Sequence, residues 1–350
     1  MKLLGRYVIR HVLELTGIVA LGLVSIYTLV VFVSDINDAG KGDYGVVDVL
    51  SYSLLMIPSS LYILMPIIAL LGTLMGVGQL SRGSELTAMR AAGVSLKDIA
   101  AAVLITGGVL GAFAFALGDW IAPAADHYAE ARRDAARGDS IAQSLWFRDA
   151  DQFIQIRQLE SENDVRDLTV YRAAPDGRLT RISTIKQANF DGSHWQLQGV
   201  QFTQFGAERV DTAAADHAEL KSGIAPSVLR LFILESDSLS LSGLLRLISY
   251  LDSNHLDAGK YRLTMWRKLV EPLTVMVMML FAIPFASGRA RDAGTGQRLL
   301  IGMLIGIVFY VVNKVSVSLG DIYGWPAPLA ASAPTLALAA ITAFRLQRAR

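Results

Sequence analysis

The sequence predicts an α-helical membrane protein with six transmembrane helices and an antiparallel β-domain inserted on the extracytoplasmic side. Three observations carry that class. Over 350 residues the hydrophobic fraction is 53% and the charged fraction 18%, with a mean hydropathy of +0.42; soluble domains hold about 45–50% apolar and about 25% charged residues. The apolar surplus is gathered into six long stretches almost free of charge. Between the third and the fourth lies a polar segment, 119–268, long enough to fold by itself.

A hydrocarbon core about 30 Å thick needs about 20 apolar helical residues. Leu15 to Ser34 is the first such run, preceded by Lys2, Arg6 and Arg10. It is too long for a signal-peptide core and no small-x-small cleavage site follows, so it reads as a retained helix. Val49 to Ser81 is longer than one crossing needs, and Pro58 and Pro66 kink it or divide an interfacial lead-in from the span proper. Ile99 to Gly118 is the third, with Gly107, Gly108 and Gly111 allowing close helix contact. Leu269 to Gly288, Leu299 to Gly320 and Ile322 to Phe344 complete the set.

Basic residues orient the spans. Lys2, Arg6 and Arg10 precede the first span; Arg82, Arg90 and Lys97 connect the second and third; Arg289, Arg291 and Arg298 connect the fourth and fifth; Arg345, Arg348 and Arg350 follow the last. The two short loops on the other face carry Lys41 alone. Both termini are therefore expected in the cytoplasm, with 119–268 outside. Residues 1–121 hold the first three spans, with a connecting helix near 84–93; residues 122–260 form the external domain with flanking helices; residues 261–350 hold the last three spans.

Within the external segment, Ala122 to Arg137 continues the third span as a polar helix. The period then shortens to that of half-buried strands: Phe153, Ile154 and Ile156; Leu168 and Val170; Trp195, Leu197 and Val200. Asp176-Gly177 and Asp191-Gly192 are the expected turns. Ser240 to Tyr250 returns to helix, with Leu241, Leu244, Leu245, Ile248 and Leu251 on one face, and Tyr261 and Trp266 re-enter the membrane as interfacial aromatics. Such a β-domain holds a lipid in an apolar groove, binds another protein, or is a packed core with no ligand; the residues leave all three open.

The chemistry of catalysis is missing from the sequence. With 32 basic and 31 acidic residues the net charge is +1, which excludes a bulk electrostatic nucleic-acid binder. There is no cysteine, no GxxxxGK[ST] phosphate loop, no HExxH and no GxSxG. No cofactor is expected on this chain. Charge within the spans is sparse: Glu14 near the cytoplasmic end, Glu271 near the external end, and Lys314 in the outer leaflet. Lys314 either snorkels to the interface or faces a cavity, pairing with Glu271 or an anionic ligand. A secondary transporter would need more such groups. A signalling receptor would need an output domain after the sixth span.

The connection between the second and third spans is the most organised short element. Ser84 is expected to cap a helix over Glu85 to Ala92, Gly93 to stop it, and Ser95 to Asp98 to open the third span as a capping box. The helix is expected to expose Glu85, Leu86, Met89 and Arg90, resting on lipid head groups or inserted as a lever into a cytoplasmic motor protein.

Several blocks carry a family resemblance: Ala69-Leu70-Leu71-Gly72; Ser84-Glu85-Leu86 with Met89 and Gly93; Asp119 to Pro123; Leu239 to Leu244; Asp257-Ala258-Gly259; Met265-Trp266; Pro272-Leu273; Val308-Phe309-Tyr310; and Tyr323-Gly324. Nearly the whole chain resembles the YjgP/YjgQ permease family of lipopolysaccharide exporters. The resemblance implies a jelly-roll-like periplasmic domain and residence in the bacterial inner membrane. It implies an LptF-like permease partner, an LptB-like ATPase dimer that binds ATP and Mg²⁺, and an LptC-like single-span protein. It assigns Glu85 to coupling with the ATPase and Arg133 to the lipid's phosphates. Where the family carries lysines at the outer end of the first span, Val31 to Asp38 has none; Lys41 and Lys314 are the replacements it suggests. An ABC permease for another lipid or a lipoprotein would share the plan.

Overall fold

The computed structural model describes residues 2–138, 145–149, 152–161, 164–174, 178–191, 194–206, 209–220, 231, 236–287 and 295–348. The chain divides into two compact units, Met1–Ala39 with Val46–Ala129 and Gly259–Arg350, and Gly40–Gly45 with Glu130–Ala258.

Among the described residues, the first unit contains six helices long and apolar enough to cross a membrane. They are α1 (Lys2–Asp35), α3 (Ile57–Arg82), α5 (Leu96–Ala116), α8 (Gly259–Ser287), α9 (Thr295–Tyr323) and α10 (Ala327–Arg348). The long run 49–81 is split: α2 (Val46–Leu55) ends at Met56, and α3 starts with Pro58 in its first turn, where the missing N–H costs nothing. Pro66 lies buried inside α3. The fourth helix begins ten residues ahead of its apolar run, and so takes in Tyr261, Trp266 and Lys268.

Helix α3 is the hub: 67% of its apolar window is buried, against 11% for α1 and 17% for α9. Three glycine pairs spaced by four make the close seams. Gly72 and Gly76 of α3 receive Thr16 and Val12 of α1; Gly107 and Gly111 of α5 receive Met276 and Pro272 of α8; Gly302 and Gly306 of α9 receive Leu71, Leu74 and Ile67 of α3. Without a hydrophobic driving force between helices in lipid, such close backbone approach is what packs them. Several hydroxyls inside the bundle, those of Thr16, Thr73 and Thr106 among them, donate to the carbonyl four residues earlier on their own helix, as when Thr73 Oγ1 donates to Ala69 O at 2.7 Å. Thr274 and Thr335 share a buried hydrogen bond of 2.9 Å that joins α8 to α10.

Helix α5 runs through a π-helical turn, Leu117–Ile121, into α6 (Ala122–Arg137), the predicted extension of the third span. Among the described residues of the second unit, six strands form one antiparallel sheet in chain order: β1 (Leu145–Asp149), β2 (Gln152–Ser161), β3 (Asp164–Ala173), β4 (Leu179–Phe190), β5 (Trp195–Phe205) and β6 (Val210–Leu220). The jelly-roll-like expectation is refined to this meander among the described strands. Ile154, Ile156, Leu168, Val170, Trp195, Leu197 and Val200 are buried as predicted, while Phe153 points to the opposite, exposed side.

The alternation resets once. Buried neighbours are three apart at Val165/Leu168, Ile185/Ala188 and Leu197/Val200, and the pairing passes over Asp167, Lys186 and Gly199. Asp167 and Gly199 have φ of 52° and 65°, a left-handed backbone that interrupts the pleat. Asp191 closes the β4–β5 turn, its amide donating to His194 O and its carboxylate accepting from His194 N; Gly192 and Asp176-Gly177 lie outside the described residues. In α7 (Leu241–Ser253), capped by Ser240, the buried stripe is Leu244, Leu247 and Leu251, with Leu245 exposed instead of inward.

Candidate functional site

The connection between α3 and α5 is a seven-residue helix, α4 (Glu85–Ala91). Ser84 does not cap it; its backbone is left-handed (φ 60°) and its side chain makes no cap bond. Helix α4 ends as predicted. Gly93, at φ 90°, donates to Arg90 O and Val94 donates to Met89 O, the paired bonds of a Schellman stop. The capping box that opens α5 is complete: Asp98 N donates to Ser95 Oγ at 3.2 Å, and Ser95 N donates to Asp98 Oδ2 at 2.8 Å.

Between these two fixed ends α4 has two faces. Leu86 and Met89, expected on the surface, are buried at 5% and 6% exposure. They belong to one core cluster with Val8 and Val12 of α1 and Ile99, Ala102 and Val103 of α5. Period explains the correction: residues three apart share a face, and that face here meets other helices. Glu85 and Arg90 remain exposed. Glu85 is held from α1, where Tyr7 Oη donates to its Oε2 at 2.8 Å. A cleft of about 350 Å³ opens between α1 and α5, lined by Leu4, Val8, Ile9, Ile99 and Ile105 with Met89 of α4 among others.

The predicted phosphate contacts fall in two places. In the second unit, the loop 40–45 packs on the end of α6. Asp43 N donates to Ala136 O at 2.8 Å, Arg137 lies over the ring of buried Tyr44 at 5.3 Å, and Gly42 (φ 57°) sits too close to the Arg137 carbonyl for a side chain. That packing brings the exposed Lys41 to the helix that carries half-buried Arg133 one turn before Arg137. Lys314 is on α9 in the first unit, exposed. Glu271 is half-buried on α8, where the charge acting on it is Arg267, one turn earlier; no ion pair joins Glu271 to Lys314 among the described residues.

Three features were not foreseen. Lys268, 3% exposed, and Asp126, 8% exposed, lie inside the first unit. Lys268 Nζ donates to Gly118 O at 2.9 Å in the π-helical turn, and Ser59 Oγ donates to Asp126 Oδ1 at 2.5 Å. Arg298, counted as a flanking charge, is buried against Gly78. Their signal in the sequence was a charge at the edge of an apolar run, which reads as interfacial.

Six long apolar helices with a β-domain inserted between the third and the fourth define a multi-pass membrane protein of the permease type. Over residues 6–348 the chain matches the model of a family described as lipopolysaccharide export system permease LptF/LptG, and it belongs to that family. It is 32% identical over 352 residues to the lipopolysaccharide export system permease protein LptG of Escherichia coli (strain K12), covering 99% of this chain and 98% of the relative. It is 30% identical over 353 residues to the LptG protein of Haemophilus influenzae, covering 99% of each.

Proposed function

We propose that this chain is a transmembrane permease subunit of an ATP-driven exporter, which extracts lipopolysaccharide from the outer leaflet of the inner membrane and passes it to a periplasmic bridge. Both termini and α4 face the cytoplasm, as the flanking arginines and lysines suggest, and the β-domain is periplasmic. The chain itself is not an enzyme and holds no cofactor. ATP and Mg²⁺ bind an LptB-like ATPase dimer, an LptF-like permease completes the transmembrane pair, and an LptC-like single-span protein receives the lipid with them.

The observation that carries this reading is the two-faced helix α4. Its Glu85 and Arg90 are available to a cytoplasmic partner, while Leu86 and Met89 key it into the core shared with α1 and α5. Displacing α4 therefore displaces spans, because close-packed interiors transmit strain instead of absorbing it. Lys41 and Arg133, on the loop and helix that pack together, supply cations for the lipid's phosphates; Lys314 supplies another from α9.

Substituting Glu85→Lys tests the lever. In proteoliposomes containing the whole complex, ATP hydrolysis should continue while lipopolysaccharide release falls to background. Full release by that variant would refute the role of α4. Mass spectrometry of lipid co-purified with the complex decides between lipopolysaccharide and another lipid cargo.

A further inference from the structure

The acid of α4 is not free to rotate. Tyr7, in the second turn of α1, donates its hydroxyl to Glu85 Oε2 at 2.8 Å, across 78 residues of sequence. The Tyr7 ring is itself supported, stacking on His11 one turn later with centroids 6.1 Å apart and planes 10° from parallel. The other carboxylate oxygen, Oε1, accepts no hydrogen bond among the described residues. An ionised carboxylate has acceptor capacity on both oxygens, so Tyr7 can hold one while the other receives a cation.

We propose that Tyr7 is a positioning residue for the coupling acid: it fixes the Glu85 carboxylate against the first span and aims Oε1 at the partner ATPase. This rests on the reading of Glu85 as the coupling residue. The hydrogen bond is exposed on both sides, so its contribution to stability is small. Its effect is geometric. Leu86 and Met89 attach the helix to the bundle through apolar contacts, which have no directional preference; the Tyr7 bond adds a directional link from the acid to α1. Force received at Oε1 then reaches the first span through two bonds of defined direction, the ion pair and the phenol.

The test uses the assembled complex in proteoliposomes and reads lipid released per ATP hydrolysed for Tyr7→Phe, Glu85→Gln and the double variant. Phenylalanine keeps the ring and its stacking on His11 and removes the hydroxyl alone. Equal yield of the intact complex is the assembly control. We expect Tyr7→Phe to lower the ratio about two- to fivefold, the low end of the effect of one hydrogen bond, because water competes for both groups at this exposed site. In the Glu85→Gln background the same change should have no further effect. If Glu85→Gln lowers the ratio and Tyr7→Phe does not, the positioning role is wrong and the coupling acid stands. If the two losses multiply, Tyr7 acts elsewhere and the proposal is overturned. If Glu85→Gln leaves the ratio intact, the coupling reading itself falls and takes the proposal with it.

Discussion

The ammonium of Lys268, on α8, donates to the carbonyl of Gly118 at 2.9 Å across 150 residues of sequence. The acceptor lies in the π-helical turn between α5 and α6, where the widened helix has one residue too many for its ladder. Gly118 is needed there because Tyr62 of α3 occupies the place of a side chain. Asp126, a little over two turns further on, feels the charge of Lys268 and accepts from Ser59. Three spans thus meet at one buried polar cluster.

Removing the cation should be costly. Lys268→Met leaves the Gly118 carbonyl in the π-helical turn without its donor and removes the positive charge felt by Asp126; an unsatisfied buried acceptor alone costs about 1–3 kcal/mol. Thermal unfolding of the purified protein in detergent should show a large loss for Lys268→Met. Adding Asp126→Asn should recover only the electrostatic part of the loss, because the Gly118 carbonyl still lacks its donor. Equal stability of Lys268→Met and the parent would mean that the cluster is ornamental.

The glycine seams make a sharper contrast. A Cβ on Gly111 would lie 2.8 Å from Pro272 O, and Gly22 of α1 has nothing within 4 Å. Gly111→Ala should therefore separate α5 from α8 and cost about 1–3 kcal/mol, the range for overpacking. Gly22→Ala should be neutral or stabilising by about 0.4–1 kcal/mol, through reduced freedom of the unfolded chain. Chemical or thermal denaturation of the two variants side by side checks both signs.

Helix α4 offers a third comparison, between its two faces. Leu86→Ala opens a cavity in the cluster with Val8 and Ile99 and should destabilise by about 2–5 kcal/mol. Arg90→Ala, on the exposed face, should leave stability within about 0.5 kcal/mol. Differential scanning of the isolated subunit measures this. Retention of the partner ATPase on purification should fall for both, for different reasons: a loosened helix in one, a missing contact in the other.

Much of the local structure was legible in the sequence because it depends on neighbours along the chain. The capping box at Ser95 and Asp98 and the stop at Gly93 need only residues within six positions. The extension of the third span over Ala122–Arg137 and the paired strands of Leu168 and Trp195 followed from periodicity. The errors have a common cause. Ser84 has the composition of a cap but a left-handed backbone set by the tight reversal from α3. Leu86 and Met89 are buried against expectation because a seven-residue helix does not by itself say which side meets the bundle. Leu245 yields its place in the buried stripe of α7 to Leu247, because a leucine-rich run offers more than one apolar face. Glu271 sits near the middle of α8 once the helix begins at Gly259, and Lys314 two-thirds along α9, yet depth along a helix does not fix its rotation.

The long apolar helices and the β insertion are already written in the order of the residues. Both follow from one-dimensional quantities: the length of uncharged runs against bilayer thickness, and the period of apolar residues. Folding in three dimensions sets which faces of those helices are buried, makes seams of Gly72, Gly111 and Gly302, and brings Lys268 to Gly118 and Tyr7 to Glu85. Those contacts join residues far apart in the chain, and their partners are chosen by helix rotation and packing, which no local pattern encodes.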